Sequence, residues 1–335
     1  MTGGELGMTQ SLEPARAPGP RSGMIRAPGI EGGSIVKATS ALSIAAMLCW
    51  GVAYVPSAWL VETWAPLSAG GARLALGGVI LLAVLAALGR SVRPRVGLMS
   101  IGWLALTQTV LFYGATFWGI AHAGAGLSAV LANTDPLFVA VLATLFLGER
   151  LGSLQWFGLA LGLLGAACVV WEGPLWPPEV SSAALVVVGG ALAWSIGTVV
   201  ASRSMHARAD PLALAGWQMA IGGIVLALVG MVVGEGEHAL GWREVGLIVG
   251  LAVVGSAAPL ALFYLALVRA PASEVSAWFF LIPVIGVLSA WPLLGETPTA
   301  RLVIGLVGVS LGLWLVLGAH GPEDEGRLVD SPGPP

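Results

Sequence analysis

Charge is what this sequence has least of. Only 10% of its 335 residues are Asp, Glu, Lys or Arg, against roughly 25% in soluble globular proteins. A chain so poor in charge lacks the polar shell that water requires, which excludes an ordinary cytosolic enzyme. The formal net charge of −3 excludes a nucleic-acid binder, which needs a basic face to neutralise phosphates. Cysteine is nearly missing: Cys49 and Cys168 both lie in apolar runs and offer neither a disulfide framework nor metal-ligand spacing. The four histidines, His122, His206, His238 and His320, fall in separate loops or a tail and cannot form one metal site. No cofactor is expected. Gly308-Val309-Ser310-Leu311-Gly312 has the spacing of a hydrolase nucleophile elbow, but it sits inside an apolar helical pattern rather than a strand-turn-helix.

What is present is apolar: 57% hydrophobic residues and a mean hydropathy of +0.89. Ten apolar stretches succeed one another: Ser40–Leu60, Ala65–Leu88, Val96–Ile120, Gly124–Leu147, Leu151–Trp171, Val180–Ser202, Pro211–Val233, Val245–Leu267, Val275–Leu294 and Leu302–Leu317. Each is near the ~20 residues a membrane helix needs, and the separators are too short for another domain. Backbone polar groups in lipid must be satisfied within the segment, so these are helices, and the ten-residue alternation of a barrel is missing. The fold expected is an all-α polytopic membrane protein with ten transmembrane helices. Residues 1–39 and 319–335 read as disordered tails, the second one acidic.

The basic residues orient the bundle. With the N-terminus inside, Arg16, Arg21, Arg26, Lys37, Arg90, Arg93, Arg95, Arg150, Arg203, Arg208, Arg269 and Arg327 all lie inside, and only Arg243 and Arg301 lie outside. Both termini are therefore expected in the cytoplasm.

The chain also repeats itself. Pro136, Leu147-Gly148-Glu149, Gly158 and Gly165 recur 147 residues later as Pro283, Leu294-Gly295-Glu296, Gly305 and Gly312. Pro66, Arg73 and Gly77-Gly78 match Pro211, Gln218 and Gly222-Gly223 at a spacing of 145, and Trp50 matches Trp194 at 144. The unit is five helices, residues 40–173 and 180–318. Five is odd, so the second copy must be inverted, an architecture typical of alternating-access carriers that bind substrate near the midplane.

Two such repeats, each carrying Pro, then Leu-Gly-Glu, then a Gly-rich last helix, with Trp50-Gly51 in the first span and Pro66 with Arg73 in the second, resemble the EamA family of the drug/metabolite transporter superfamily. The resemblance spans about Ser40 to Gly318. It implies ten helices with both termini cytoplasmic and a carrier, most often an exporter, of amino acids or related small metabolites. Asp135, directly before Pro136, departs from the neutral residue common in that family.

The residues independently single out a few positions. A charge at the centre of a membrane helix costs about 2.5–3.5 kcal/mol on insertion scales, and only Arg73 and Asp135 lie deep in spans. At 1.5 Å per residue their depths are roughly 14 and 18 Å, so the two are expected to pair or to share a network through Asn133, Thr134 and Gln108. A packing ion pair without function, or an Arg73 that snorkels outward, is the plainer reading of the same pattern. As the only midplane carboxylate, Asp135 is also the candidate proton carrier. Pro136 and Pro283 read as mid-span kinks or hinges. Trp50, Gln108, Tyr113, Asn133, Asp135, Trp194 and Trp278, with Phe112 and Phe279, form the candidate substrate-binding set, an aromatic wall with few polar groups. Gly158/Gly162 and Gly308/Gly312 offer close-packing faces within one chain or between two, so monomer and homodimer both stay open. The expected partners are a small-molecule substrate, membrane lipids and protons. An integral-membrane enzyme acting on a lipid or lipid-linked substrate is the alternative, but it would need a polar cluster at one interface, which the short loops do not supply.

Overall fold

The computed structural model describes residues 32–123, 131–170, 182–233, 241–294 and 300–318. Among these, all regular structure is helical. The first crossing is α1 (Gly32–Val52) continued by α2 (Tyr54–Val61), and α3 (Pro66–Ala87) returns. A third rod joins α4 (Leu98–Leu104), a π-helical turn (Ala105–Leu111) and α5 (Phe112–Ala123). Then come α6 (Asp135–Phe146), α7 (Ser153–Val170), α8 (Ser182–His206) and α9 (Pro211–Val232). The next rod is α10 (Trp242–Ala252), a second π turn (Val253–Ala257) and α11 (Ala258–Leu267). Finally α12 (Ala272–Ala277), a 3-10 turn (Trp278–Phe280) and α13 (Leu281–Leu294) lead to α14 (Ala300–Gly318).

Six of these segments are long and apolar enough to cross a membrane: Lys37–Val61, Pro66–Ala87, Leu98–Gly119, Ala184–His206, Pro211–Val232 and Trp242–Leu267. The all-helical membrane architecture is therefore shown, while ten full spans are not reached by length among the described residues. Shorter apolar helices, Asp135–Phe146, Ser153–Cys168, Ala272–Gly286 and Val303–Gly318, stand where the fourth, fifth, ninth and tenth were expected. In the fourth, residues 131 and 132 are helical, residues 133 and 134 form a turn, and α6 starts at Asp135. The N-terminal boundary also shifts. Helix α1 begins at Gly32, eight residues before the apolar stretch, since Lys37 can keep its charge in water along a helix that continues outward. Residues 1–31 and 319–335 fall outside the described residues.

Proline explains most of the interruptions. Pro56 cannot donate to the carbonyl of residue 52, and the first crossing breaks at Ala53, three residues before it. Pro259 directly succeeds the start of α11, just past the second π turn. Pro136 and Pro283 each follow a break in their rod, the turn at residues 133 and 134 and the 3-10 turn Trp278–Phe280. Pro136 occupies the first turn of α6 and Pro283 the third position of α13, where a missing N–H leaves no intrahelical bond unmade. Both copies thus carry the equivalent proline within the first turn after a break.

The tightest packing is between α3 and α9 and between α7 and α14. A Cβ on Gly223 would lie 2.2 Å from the backbone nitrogen of Ala75, and one on Gly78 2.4 Å from that of Ala220. A Cβ on Gly312 would lie 2.6 Å from the carbonyl oxygen of Gly158. The glycine faces are therefore used within one chain. Large apolar side chains such as Leu98, Val232 and Trp314 are exposed on the outside, as a lipid-facing surface requires.

Asp210 caps α9, its carboxylate accepting from the backbone N–H of Leu212 at 3.1 Å and Ala213 at 3.0 Å, with Pro211 in the first turn. Asp210→Ala is expected to cost about 1 kcal/mol, read as a lowered Tm in detergent. An unchanged Tm would show that water replaces the cap at no cost.

Candidate functional site

A cavity of about 330 Å3 is lined by residues of both halves of the chain. Its aromatic floor joins the first rod of each half. Trp50 and Trp194, the matched pair of the repeat, meet edge to face at 5.8 Å. Phe279 lies 5.3 Å from Trp50 and 5.7 Å from Trp194, and Phe112 packs 4.8 Å from Trp194. From there the cavity runs along Tyr54, Ser57 and Ala58 to Val61 and Pro66, where α2 hands over to α3.

Arg73 and Asp135 both line this space and both are buried, at 6% and 1% exposure. They do not pair: among the described residues, no ion pair within 4 Å joins them. Instead Arg73 donates through Nη1 to Ser57 Oγ at 2.8 Å and lies 5.4 Å from each of the Tyr113 and Phe117 ring centres. Aromatic faces at that distance attract a guanidinium. Gly255, in the second π turn, packs beside it: a Cβ there would lie 3.5 Å from Arg73 Nη1, an ordinary contact, and tighter, at 3.1 Å, against Ala53 Cβ. Asp135 stands in the first turn of α6, where the helix dipole favours an anion. Its backbone carbonyl accepts from Ser195 Oγ at 3.1 Å, while Asp135 Oδ2 is buried with no hydrogen-bond partner among the described residues. Trp50 Nε1, Arg73 Nε and Trp194 Nε1 are likewise buried and unpartnered there. An unmet buried polar atom costs about 1–3 kcal/mol, more when charged, so these three donors and the Asp135 acceptor leave the cavity wall with hydrogen-bonding capacity that the described residues do not meet.

Of the candidate set, Trp50, Tyr113, Asn133, Asp135, Trp194 and Arg73 line the cavity. Gln108 and Trp278 do not. Gln108 faces the other way, donating to Thr198 Oγ1 at 3.2 Å and accepting from Tyr264 Oη at 2.5 Å. It ties the first π turn to α8 and α11, so the expected network from Arg73 to Asp135 through Gln108 does not form. Thr134 Oγ1 likewise turns to its own backbone, at the Leu131 carbonyl 2.6 Å away. Trp278 is buried in the 3-10 turn, and its neighbour Phe279 takes the cavity face. Gln218, the repeat partner of Arg73, accepts from Thr109 Oγ1 at 3.0 Å and is also outside the cavity lining. Tyr54, Ser57 and Phe117 were not anticipated. Trp50, Tyr54, Ser57 and Val61 share one helical face at spacings of four, three and four, a signal that could have found Tyr54 and Ser57.

Similar proteins agree with this architecture. The profile of the EamA-like transporter family matches residues 38–171 and again 181–318. The uncharacterized inner membrane transporter YedA of Escherichia coli is 30% identical, over 80% of this chain and 89% of its own. The uncharacterized transporter YvbV of Bacillus subtilis is 28% identical, over 84% of this chain and 92% of its own. A solved crystal structure with 19% identity superposes with a TM-score of 0.69, covering 83% of this chain and 96% of its own, which shows the fold. Matched twice by one family profile on two successive halves, this multi-pass membrane chain belongs to the EamA-like transporter family.

Proposed function

We propose that the chain is a secondary carrier of small dipolar organic metabolites, of amino-acid size, working by alternating access. One observation carries this reading: Arg73 and Asp135 line the same cavity from opposite charge types without neutralising each other. A carboxylate of the substrate suits the Arg73 side and an ammonium group the Asp135 side, with the aromatic floor packing the rest. The cavity volume of about 330 Å3 is near the small end of ligand sites, roughly 300 Å3. The four shorter apolar helices bring the bundle to ten membrane segments in two inverted five-helix repeats, with both termini in the cytoplasm. Export across the cytoplasmic membrane is the preferred direction, on the family resemblance. Proton coupling arises from a single carboxylate serving both ions: a proton and a substrate ammonium exclude each other at Asp135, so release of one accompanies uptake of the other.

Purified protein in liposomes, given a panel of radiolabelled neutral amino acids with and without a pH gradient, tests this. Saturable uptake of at least one, accelerated by the gradient and not competed by analogues lacking either charge, is expected. Equal transport of the uncharged analogues would overturn the dipolar reading.

A further inference from the structure

At the end of the bundle away from Val61 and Pro66, the Leu147-Gly148-Glu149 triplet closes the chain on itself. Gly148 takes φ +73°, a left-handed backbone that glycine adopts without strain. The Glu149 N–H bonds back to the Ala143 carbonyl at 3.3 Å, closing the helix end. The reversal sends the Glu149 side chain across to the other half. Oε1 accepts from the Ala272 N–H at 2.7 Å, Oε2 from the Ser273 N–H at 3.1 Å, and Ser273 Oγ also donates to Oε2. These N–H groups open α12, which leads through the 3-10 turn to Phe279 in the cavity floor. A second tie lies at the same end: Arg203 Nη2 of α8 donates to the Phe146 carbonyl at 2.6 Å. At the opposite end the ion pair Arg243–Glu62, at 3.9 Å, joins side chains that are more than half exposed, so it contributes little.

We infer that Glu149 is a releasable latch: it holds α12 of the second half against α6 of the first and so keeps the cavity closed at that end while it reaches Val61 and Pro66 at the other. Three charge-assisted contacts to one carboxylate make a strong tie, but all three are made to the first two residues of one short helix. A small tilt of α12 breaks them together. That suits a contact meant to switch, since bistable interfaces convert small shifts into large ones. Because α12 runs directly into Phe279, the same tilt moves the cavity floor, which couples the latch to the site. The triplet is thereby accounted for as a clasp between halves, whereas a cap within one helix would need no partner 123 residues away.

The latch rests on the alternating-access reading, yet its test reads distances and not flux, so loss of either idea shows separately. In a full-length background with Cys49 and Cys168 changed to Ser, nitroxide pairs are placed at Ser153→Cys with Arg269→Cys on the latch end, and at Glu62→Cys with His122→Cys on the other end. Pulsed electron–electron double resonance in nanodiscs is expected to give one narrow latch-end distance. Glu149→Ala should lengthen or broaden it by about 5 Å, the scale of a one-turn shift, and shorten the pair at the opposite end. Ser273→Ala, which removes only the hydroxyl contact, should give a smaller change of the same sign, and it carries the test if Glu149→Ala does not fold. A lowered Tm with both distance distributions unchanged would make Glu149 a plain structural cap and overturn the latch.

Discussion

Asp135→Asn is expected to abolish acceleration of uptake by a pH gradient and to weaken substrate affinity at least 100-fold, while the protein still folds. The carboxylate is buried at 1% exposure and its Oδ2 has no partner among the described residues. Removing it deletes the one anion among the residues lining the cavity and, on the dipolar-substrate proposal, leaves the ammonium group unpaired. Breaking one half of a buried charge pair costs about 3–5 kcal/mol, and each 1.4 kcal/mol is about tenfold in affinity. Asn keeps the size and the backbone contact from Ser195, so the monodispersity and Tm of the variant should match the parent. Arg73→Gln makes the converse test, since Gln is what the repeat itself carries at position 218. It should lose carboxylate-bearing substrates more than amines, and leave the effect of the gradient on any residual uptake intact. If Asp135→Asn retains full gradient-driven uptake, Asp135 is neither the proton site nor the ammonium site.

The second large effect concerns folding. Gly223→Val is expected to prevent assembly of the bundle, because even a Cβ at that position would lie 2.2 Å from Ala75 N and 2.8 Å from the Gly71 carbonyl oxygen. These are backbone atoms of α3 and cannot move aside as a side-chain tip would. Separating α3 from α9 forfeits the closest contact between the halves, beyond about 4 kcal/mol and in the range that unfolds marginal proteins. Size-exclusion chromatography of a fluorescent fusion should show aggregate in place of the monodisperse peak. Gly102, with nothing within 4 Å of an added Cβ, is the control: Gly102→Ala should be tolerated and gain about 0.5–1 kcal/mol from its helix position. A folded, active Gly223→Val would mean that the two helices are spaced more loosely than described.

How much of the fold and site is legible in the sequence differs by residue. The internal match of Trp50 with Trp194 is visible at a spacing of 144, and the two rings do meet at 5.8 Å, although equivalence in sequence alone does not require equivalent positions to touch. The importance of Arg73 and Asp135 comes from solvation alone, since a charge in an apolar span must have a reason. Their pairing does not. Depth along a helix says nothing of rotation about it, and Ser57 with the Tyr113 and Phe117 rings claims the guanidinium instead. Gln108 is misassigned for the same reason: the π turn from Ala105 to Leu111 accommodates an extra residue and changes the rotation of its side chains about the rod, aiming Gln108 at Thr198 and Tyr264. No proline marks that turn, so nothing in the local sequence signals it.

Composition and periodicity by themselves determined that the chain is a helical membrane protein, that it is built from two related halves, and which two charges stand apart. Those properties depend on what each residue is and on how often it recurs, and both are linear along the chain. The tertiary structure decided which side chains share a cavity, where the helices break, and that Glu149 reaches across to the N–H groups of Ala272 and Ser273. These depend on rotations about helix axes and on contacts between residues more than a hundred positions apart. A one-dimensional pattern constrains neither, because any polar group left over in one helix has many candidate partners and only packing selects among them.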